Sequence, residues 1–519
     1  MNLSTMFEFA VDRHPNRIAI VEKDKRYTYK QLDKEIIKVA SSLQRMGIQQ
    51  HDRVMVVLKN RLENVVIYWA SQKIGAVYTP INHRLTAKEV EYCVNDAEAK
   101  AVVYERTSQD AVLKATFREN PILIGLGNVD GADIFYNELI DRSVGSYNKP
   151  AIHEDDIALM LYTSGTTGRP KGVPRSQKNE YAAAVAHVIQ NQYCDGESTL
   201  GTMPLYHTMG IRSLLSITLL NGKYVVLPDF DAKEALELLS SEEISSLYLV
   251  PTLYHDILCH QSFDQYDLKK LRKIGYAGAS MTSSLTEKCV ELLKPDVFIN
   301  HFGSTEIYTF TICSNVIEKP GCAGKAGLQQ SIRIVKADTD GGSLPDHQVG
   351  KGEIGEIIIS LSSDEAFKGY WNRPEATQKA IREGWYFTGD LGVMDDDGDL
   401  HVVGRVDDMI ISGGENIHPL EVEDVLSKHE KVSEVAVCGE EDERWGFIVC
   451  AYIVPKDHSI SVQELDEYCK SHPKLSNFKR PRNYVFVKEI PKSPVGKILR
   501  RMLRDGEYEL FNNENKIVG

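Results

Sequence analysis

The sequence TSGTTGRPKG, residues 163–172, combines small hydroxylated residues with glycines and a single lysine. Gly165 and Gly168 permit backbone angles that are closed to other residues, so backbone amides in this stretch can approach oxygen atoms closely. The stretch therefore predicts a loop that wraps a polyphosphate. A flexible surface turn between a strand and a helix is the alternative, since such composition also marks turns. The side chains available to a phosphate are Ser164, Thr166, Thr167 and Lys171.

This loop differs from the Walker loop of other nucleotide-binding proteins. A Walker loop has a glycine, four further residues and then Gly-Lys-Ser/Thr. Here Pro170 stands five residues after Gly165 and directly precedes Lys171. Any phosphate binding therefore belongs to another class of site.

Composition is that of an ordinary enzyme, with 519 residues, 42% hydrophobic and 26% charged residues. This length predicts two or more domains. A net charge of −14 argues against broad binding to nucleic acid or to an acidic membrane. The nine cysteines include no C-x-x-C pair, and no secretion signal or membrane-spanning run is evident, so a cytoplasmic location is expected.

Short β-branched runs alternate with helical patterns through most of the chain, which predicts an α/β body. The range 29–46 places apolar residues three to four positions apart, as in an amphipathic helix. Near the end the pattern restarts on a smaller scale, with a strand at 401–404, a helix at 419–429 and strands at 432–438 and 447–454. The other predicted strands are 54–58, 101–104, 157–162, 224–227 and 247–250.

Three further stretches can be considered together with the first: PLYHTMG at 204–210, YAGASM at 276–281 and GRVDDMIISGGENIHPLEVE at 404–423. With these motifs the chain resembles, nearly end to end, the adenylate-forming superfamily of acyl-CoA synthetases, adenylation domains and luciferases. Within it the sequence is most similar to bacterial benzoate and 4-chlorobenzoate CoA ligases. The resemblance implies a large N-terminal domain of sheets flanked by helices (1–404), a hinge (405–408) and a small mobile α+β C-terminal domain (409–519).

The resemblance also implies a two-step reaction in which a carboxylate attacks ATP to give an acyl adenylate, and coenzyme A then displaces AMP. Lys497, in PKSPVGKILR, matches the lysine that bridges carboxylate and phosphate in the first step. Glu306 matches the glutamate that binds Mg²⁺, which prefers few carboxylates together with phosphate oxygens. A carboxylate in a helical first turn capped by Thr305 is the alternative for Glu306.

The other nucleotide contacts also follow from the resemblance. Phe302 stands where the family usually has a tyrosine beside the adenine, and stacking survives that change. Asp390 would accept the ribose hydroxyls, with a turn residue as its alternative role. The full set of expected ATP and AMP contacts is Thr163, Ser164, Gly165, Thr166, Thr167, Lys171, Gly278, Ala279, Ser280, Phe302, Gly303, Thr305, Asp390 and Arg405.

The second step needs a rotation of the C-terminal domain, and the resemblance places the hinge at Asp407. Arginine suits phosphate and tryptophan offers a stacking face, as the nucleotide part of coenzyme A requires. A basic surface turn and an edge aromatic are the alternative interpretation. The expected coenzyme A contacts are Trp445, Phe478, Arg480 and Arg482, with Arg84 as a weaker candidate.

Substrate class rests mainly on His207, which stands where amino-acid-activating relatives have an aspartate nearby. A histidine can donate to the substrate carboxylate and disfavours an amino acid, although a buried structural histidine is the alternative. An aromatic acid is the leading substrate; a fatty acid, or a carrier protein as acceptor, stays open. A homodimer is a family-level expectation. The implied acyl pocket comprises His207, Tyr248, Val250, Ala277, Gly278, Gly303 and Tyr308, with the rest of 307–310.

Overall fold

The structure of the protein is a computed structural model. It describes residues 1–163, 169–337, 342–413, 415–457, 459–473, 475–493, 496, 498–511 and 516–518, with the backbone alone for 416 and 516–518. The chain forms two compact units. The first comprises Met1–Ser331 with Ser360–Gly384, and the second Ile332–Ile359 with Trp385–Gly519.

The elements of the described chain alternate between strands and helices, as the sequence predicted. The helices are α1 Leu3–Arg13, α2 Tyr29–Arg45, α3 Leu62–Ile74, α4 Ala87–Ala97, α5 Gln109–Lys114, α6 Tyr136–Asp141, α7 Gln177–Gln190, α8 Thr208–Leu219, α9 Ala232–Ser241, α10 Pro251–Leu258, α11 Ser283–Leu293, α12 Pro374–Ala380, α13 Pro419–Leu426, α14 Val462–Ser471 and α15 Arg500–Arg504. The strands are β1 Ile18–Glu22, β2 Lys25–Thr28, β3 Arg53–Val57, β4 Val77–Pro80, β5 Ala101–Glu105, β6 Ile122–Leu126, β7 Ile134–Phe135, β8 Ile157–Thr163, β9 Lys171–Ser176, β10 Ser198–Gly201, β11 Lys223–Val226, β12 Ser246–Leu249, β13 Lys273–Tyr276, β14 Val297–Phe302, β15 Thr311–Cys313, β16 Lys325–Ala326, β17 Ile332–Val335, β18 Gly355–Ser360, β19 Ile381–Arg382, β20 Trp385–Met394, β21 Leu400–Arg405, β22 Ile410–Ser412, β23 Glu415–Ile417, β24 Val432–Asp442, β25 Gly446–Pro455, β26 Asn483–Phe486 and β27 Lys516–Val518.

The largest sheet of the first unit has nine strands in the order β16-β15-β14-β13-β12-β10-β11-β1-β2. Strands β10, β12, β13 and β14 are mutually parallel, so their carboxyl ends lie at one edge. In open α/β sheets that edge is where ligands bind. The loops that follow these strands contain most of the predicted acyl and adenine contacts.

The second sheet of this unit has seven strands in the order β7-β6-β5-β3-β4-β8-β9. Strand β8 is parallel to β4 and antiparallel to β9, and Thr163 pairs with Lys171 in the β8–β9 register. The two ends of the predicted phosphate loop are therefore held side by side.

Helix α2 illustrates how the local sequence sets the elements of this unit. A capping box begins it, because the Thr28 side chain accepts from the Gln31 backbone N–H while Gln31 reaches back to Thr28. The apolar stripe predicted within 29–46 is buried in the core. Burial of one apolar face is the main source of stability for such a helix.

The second unit contains β17, β18, β20 and β21 in one sheet and β22–β27 in another. Helices α13 and α14 cover the second of these sheets, and their apolar residues share one core with β24, β25 and β26. The expected hinge lies inside this compact unit, because residues 385–404 belong to it. The predicted domain boundary at 405–408 describes where the chain would rotate, not how it packs, so it stays a prediction.

Predicted strands and helices lie within a few residues of the observed ones, both in the main body and in the C-terminal segment. Among the residues that the structure describes, no helix combines the length and apolarity needed to cross a membrane.

Candidate active site

Five of the residues predicted for catalysis and phosphate binding lie outside the described residues. They are Ser164, Gly165, Thr166, Thr167 and Lys497.

The carboxyl ends of three neighbouring parallel strands bring together the predicted acyl and adenine residues. In register, Leu249 of β12 pairs with Tyr276 of β13, which pairs with Asn300 of β14. The residues next to or just beyond this level therefore lie along one edge. They are Tyr248, Val250, Ala277, Gly278, Ala279, Ser280, Phe302 and Gly303.

Two glycines at this edge have a specific structural reason. Gly278 follows β13 with a φ of +86°, which a residue with a Cβ rarely adopts. A Cβ at Gly303 would lie 2.2 Å from the Tyr308 carbonyl oxygen. Glycine at both positions lets the chain turn sharply beside the strand ends.

The loop from Gly303 to Phe310 presents Glu306. The Phe310 N–H donates to the Phe302 carbonyl at 2.7 Å and closes the loop, and the Phe302 and Phe310 rings meet edge to face at 5.2 Å. No helix begins at Thr305, because residues 305–308 form bends. The alternative of a carboxylate in a helical first turn is therefore wrong.

Lys171 and Glu306 belong to one contact cluster although they come from motifs far apart in the sequence. The Lys171 ammonium lies 4.7 Å from the centroid of the Tyr370 ring, and the Tyr370 hydroxyl donates to Glu306 Oε1 at 2.7 Å. Tyr370 thus links the end of the phosphate loop to the expected metal carboxylate. The sequence analysis missed Tyr370, since no local pattern connects it to either motif.

Arg175 holds the other side of the Glu306 loop. Its Nη1 donates to the Glu306 carbonyl at 2.9 Å and to the Glu365 carbonyl at 2.7 Å, and its Nε donates to Glu180 Oε1 at 2.8 Å. Burial alone would lower the pKa of Arg175, but Glu180 raises it overall. The guanidinium therefore stays charged and fixes the backbone beneath Glu306.

His207 is the N-cap of α8 and is half-buried. The Met209 N–H donates to its Nδ1 at 3.3 Å, so the proton of the neutral ring lies on Nε2. Burial, followed by the nearby Arg212 charge, lowers the pKa of His207 to about 4. Near neutral pH the ring is therefore an uncharged Nε2–H donor.

Arg212 is a buried cation among the predicted acyl residues that the sequence analysis did not identify. It donates to the Tyr248 hydroxyl, to Thr309 Oγ1 at 2.5 Å and to the Tyr308 carbonyl at 3.4 Å. The signal for it was an arginine within the apolar run after PLYH, but its burial depends on the whole fold.

Asp390 and Arg405 lie opposite each other on β20 and β21 of the second unit. Arg405 Nη1 donates to Asp390 Oδ1 at 2.5 Å, and the two residues are register partners. The alternative that Asp390 is a turn residue is wrong, because it lies within the strand Trp385–Met394.

Asp407 lies in a 3-10 turn, Val406–Asp408, directly after Arg405. The neighbouring Asp408 faces Arg500 at 3.8 Å and Arg504 at 3.7 Å. The predicted hinge residue is thus in a short turn at the end of β21.

The expected coenzyme A residues are only partly together in the second unit. The Arg482 guanidinium lies 4.6 Å from the Trp445 ring centroid. Arg480 instead forms an ion pair with Asp466 of α14, and Phe478 is exposed on the 3-10 turn Asn477–Lys479. Trp445 and Arg482 therefore form the stacked part of this set.

Arg84 lies in the first unit, where it is exposed. Burial raises the pKa of Tyr206 to about 12, and Arg84 is close enough to oppose that shift. Arg84 is thus placed near the residue that precedes His207.

Comparison with known proteins agrees with this geometry. Residues 7–371 match the family described as AMP-binding enzyme, and residues 421–497 match its C-terminal domain. The chain belongs to the AMP-binding enzyme family. It is an acid–thiol ligase of the AMP-forming acyl-CoA ligase class, as its curated relatives are.

Among these relatives, the long-chain-fatty-acid–CoA ligase FadD13 of Mycobacterium tuberculosis is 33% identical, over 97% of this chain and 98% of its own. The feruloyl-CoA synthase of an Amycolatopsis species is 32% identical, over 94% of this chain and 96% of its own. The o-succinylbenzoate CoA synthetase of Bacillus subtilis, solved with its acyl-adenylate intermediate, has a TM-score of 0.83 at 27% identity, covering 96% of this chain and 98% of that one.

Proposed function

We propose that this acyl-CoA ligase activates an aromatic carboxylic acid with ATP and transfers the acyl group to coenzyme A. The observation that carries the nucleotide part is the cluster of Lys171, Tyr370 and Glu306 at the end of the phosphate loop. A cation and a carboxylate that contact the same tyrosine suit a metal-bound polyphosphate.

In the first step a substrate carboxylate oxygen bonds to the α-phosphorus of ATP, and the bond from that phosphorus to the bridging oxygen breaks. Pyrophosphate leaves with the electron pair, and an acyl adenylate forms. Lys497 bridges the two anions and offsets the negative charge that develops between them. His207 donates its Nε2 proton in a hydrogen bond to the carboxylate.

Glu306 fits a role as Mg²⁺ ligand. Its carboxylate oxygen accepts a hydrogen bond from the Tyr370 hydroxyl, and the Tyr370 ring contacts the Lys171 ammonium, so one protein carboxylate is oriented toward the end of the phosphate loop. Bound Mg²⁺ would neutralise phosphate charge. The protein's own part is to orient that carboxylate through Tyr370 and to fix the loop through Arg175.

In the second step the thiol sulfur of coenzyme A bonds to the acyl carbon, AMP leaves as the carbon–oxygen bond breaks, and the thiol proton is released. We place the hinge for this step at Asp407, within 405–408. Rotation of the domain from 409 onward would withdraw Lys497 from the acyl adenylate and bring Trp445 and Arg482 toward it. Stacking on the indole and ion pairing by arginine suit a phosphorylated adenosine.

The aromatic part of the proposal is supported by the walls of the predicted pocket. Tyr248 and Tyr308 are both almost fully buried, and the apolar Val250 and Ala277 lie at the same strand ends. Flat rings offer stacking faces to another ring. The likeness to FadD13, at 33% identity, favours a fatty acid as the second candidate.

A pyrophosphate-release screen across aromatic and alkyl acids, with ATP, Mg²⁺ and coenzyme A present, tests reaction and substrate together. Aromatic acids are expected to give the highest kcat/KM, with AMP and the acyl-CoA formed in equal amounts. Faster turnover of octanoate or longer alkyl acids would transfer the proposal to the fatty acid class.

Separating the half-reactions tests the role of Lys497. Lys497→Ala is expected to slow adenylate formation about a thousandfold, while thioester formation from a supplied acyl adenylate stays nearly intact. Asp407→Pro is the complementary variant, because it should keep pyrophosphate exchange and lose thioester formation. Equal losses in both half-reactions would contradict the assignment of Lys497, and normal rates for Asp407→Pro would move the hinge elsewhere.

A further inference from the structure

Arg212 lies within the region proposed to bind the acyl group. It belongs to α8, whose N-cap is His207, and the rise of a helix places it about 7.5 Å farther along the axis. Its guanidinium carbon lies 4.8 Å from the Tyr248 ring centroid and 6.0 Å from that of Tyr308. The cation is thus next to two predicted walls of the acyl pocket and displaced from His207.

This cation forms no ion pair with a carboxylate in the part of the chain that the structure describes. Arg212 is 2% exposed, and its hydrogen bonds go to two hydroxyls and one backbone carbonyl, while its Nε has no partner. Desolvating an ion costs several kcal/mol, and neutral partners repay only part of it. Such a charge is best compensated by an anion that is not part of the protein.

The surroundings of Arg212 contain further polar groups with unused hydrogen-bonding capacity. The His301 Nε2–H donates to Asn191 Oδ1 at 3.1 Å, and Asn191 Nδ2 donates to His187 Nδ1 at 3.0 Å. The remaining proton of His187 is therefore on Nε2, which has no partner among the described residues. The His187 and His301 rings lie 4.7 Å and 5.2 Å from Tyr248.

These histidines stay neutral. Burial, reinforced by the Arg212 charge, lowers the pKa of both His187 and His301. They add hydrogen-bonding groups near Arg212 without adding charge. A pocket for an unsubstituted ring or an alkyl chain would be lined mainly by apolar groups. The region around Arg212 is instead rich in polar groups.

Glu365 is a nearby carboxyl that could compete for Arg212. Glu365 forms no ion pair with Arg212 within 4.0 Å, although Arg212 and Arg175 are both close enough to lower its pKa. Burial outweighs them and raises the pKa of Glu365 to about 7. Glu365 is therefore only partly ionised near neutral pH.

We propose that Arg212 binds a second carboxylate of the substrate, so that the acid activated by this enzyme is a dicarboxylic acid. One carboxylate reacts with ATP beside His207, and the other is bound by Arg212 and leaves the reaction unchanged. Arginine suits this task because its planar fork can donate two parallel hydrogen bonds to a carboxylate. The inference rests on the proposed function of the same site.

The test compares acids that differ only in the second carboxylate, namely octanoate with octanedioate and benzoate with benzene-1,3-dicarboxylate. Shorter and longer diacids, from butanedioate to decanedioate, then locate the best spacing. For the wild-type enzyme we expect the diacid of the better-used pair to have about 10- to 100-fold higher kcat/KM, mainly through a lower KM, as for one charge-assisted contact.

Substitution of Arg212 then links that preference to its side chain. Arg212→Met is expected to lower the diacid-to-monoacid ratio of kcat/KM by about 10- to 100-fold, and Arg212→Lys should lower it less, because it keeps the charge but loses the fork. Arg106→Met, which removes an arginine whose side chain is 73% exposed, is the matched control and should keep the wild-type ratio.

The outcomes separate the two proposals. A wild-type enzyme that uses monoacids as well as or better than every diacid overturns the dicarboxylate inference and leaves the proposed function standing. The wild-type comparison alone can do this, even if Arg212→Met fails to fold. An enzyme that forms neither AMP nor acyl-CoA from any acid tested overturns the proposed function itself. An unchanged ratio in Arg212→Met would remove the role of Arg212.

Discussion

Arg175 and Arg212 are both buried in the first unit, and the ring of Tyr308 lies close to each guanidinium, at 3.9 Å and 6.0 Å. They differ in what compensates their charge. Arg175 has Glu180 at 2.8 Å and two backbone carbonyls, whereas Arg212 has hydroxyls and a carbonyl. We interpret a buried cation with its own carboxylate as part of the scaffold and one without as part of a site.

The largest effect should come from breaking the paired arginine. Arg175→Met leaves Glu180 buried without its cation and frees the Glu306 carbonyl, so the free energy of unfolding should fall by about 3–5 kcal/mol. Urea denaturation followed by tryptophan fluorescence measures the change. A loss below about 1 kcal/mol would mean that pairing does not distinguish Arg175 from Arg212.

Glu365 offers a way to break the comparison through pH. Burial raises its pKa from 4.5 to about 7; Glu180 adds to the rise, and Arg212, Arg175 and the Gln330 side chain oppose it. The folded state therefore holds a proton that the unfolded chain has released. That contribution to stability is complete below pH 4.5 and is lost as the pH rises through about 7.

Glu365→Gln should remove this dependence. Relative to wild type, the variant should gain about 3 kcal/mol of unfolding free energy between pH 4.5 and pH 8. Denaturant titrations at several pH values measure the difference. If the variant is instead less stable at every pH by a constant amount, Glu365 is an ionised partner of Arg212, and Arg212 is not an unpaired charge.

Much of this arrangement could be predicted from the sequence, but not the part that distinguishes the two arginines. The helix at 29–46 and the strand at 157–162 follow from short-range periodicity, and the end of the phosphate loop follows from composition. The contact of Arg175 with Glu306 joins residues 131 positions apart, and that of Tyr370 with Glu306 joins residues 64 positions apart. Such contacts depend on how the strands order themselves in the sheet, which local patterns do not encode.

The burial of Arg212 could not be predicted from the sequence either. An arginine in GIRSLL is normally expected on the surface of its helix, since charged side chains are rarely buried unless paired. Helix α8 is buried on every side, so Arg212 has no solvent-facing position. The same local sequence on an amphipathic helix would have carried no functional meaning.

Glu306 sharpens the comparison because its backbone carbonyl belongs to the scaffold and its side-chain carboxylate belongs to the proposed site. Its backbone carbonyl is bound by Arg175, and its carboxylate is oriented by Tyr370. Glu306→Gln keeps the carbonyl, so the unfolding free energy should change by less than about 1 kcal/mol. Adenylate formation should fall about 100-fold, because a charge aimed at the phosphates is lost.

Pyrophosphate exchange at increasing Mg²⁺ concentration measures this effect. Tyr370→Phe is the milder companion variant, with a loss of about 5- to 10-fold expected for one hydrogen bond. A Glu306→Gln enzyme that is unstable yet fully active when folded would reverse the assignment and make the carboxylate structural.

Arg212→Met, the same substitution as at Arg175, is expected to affect stability less than Arg175→Met does. The variant loses hydrogen bonds to the hydroxyls of Tyr248 and Thr309, but it also removes a desolvated cation that forms no ion pair with a carboxylate among the described residues. These contributions oppose each other, so the free energy of unfolding should change by less than about 2 kcal/mol in either direction. Urea denaturation of both methionine variants under one condition gives the comparison directly. A loss of stability at Arg212 as large as the loss at Arg175 would mean that the surrounding hydroxyls and histidines stabilise this cation as well as a carboxylate does. In that case the charge of Arg212 would need no ligand to compensate it.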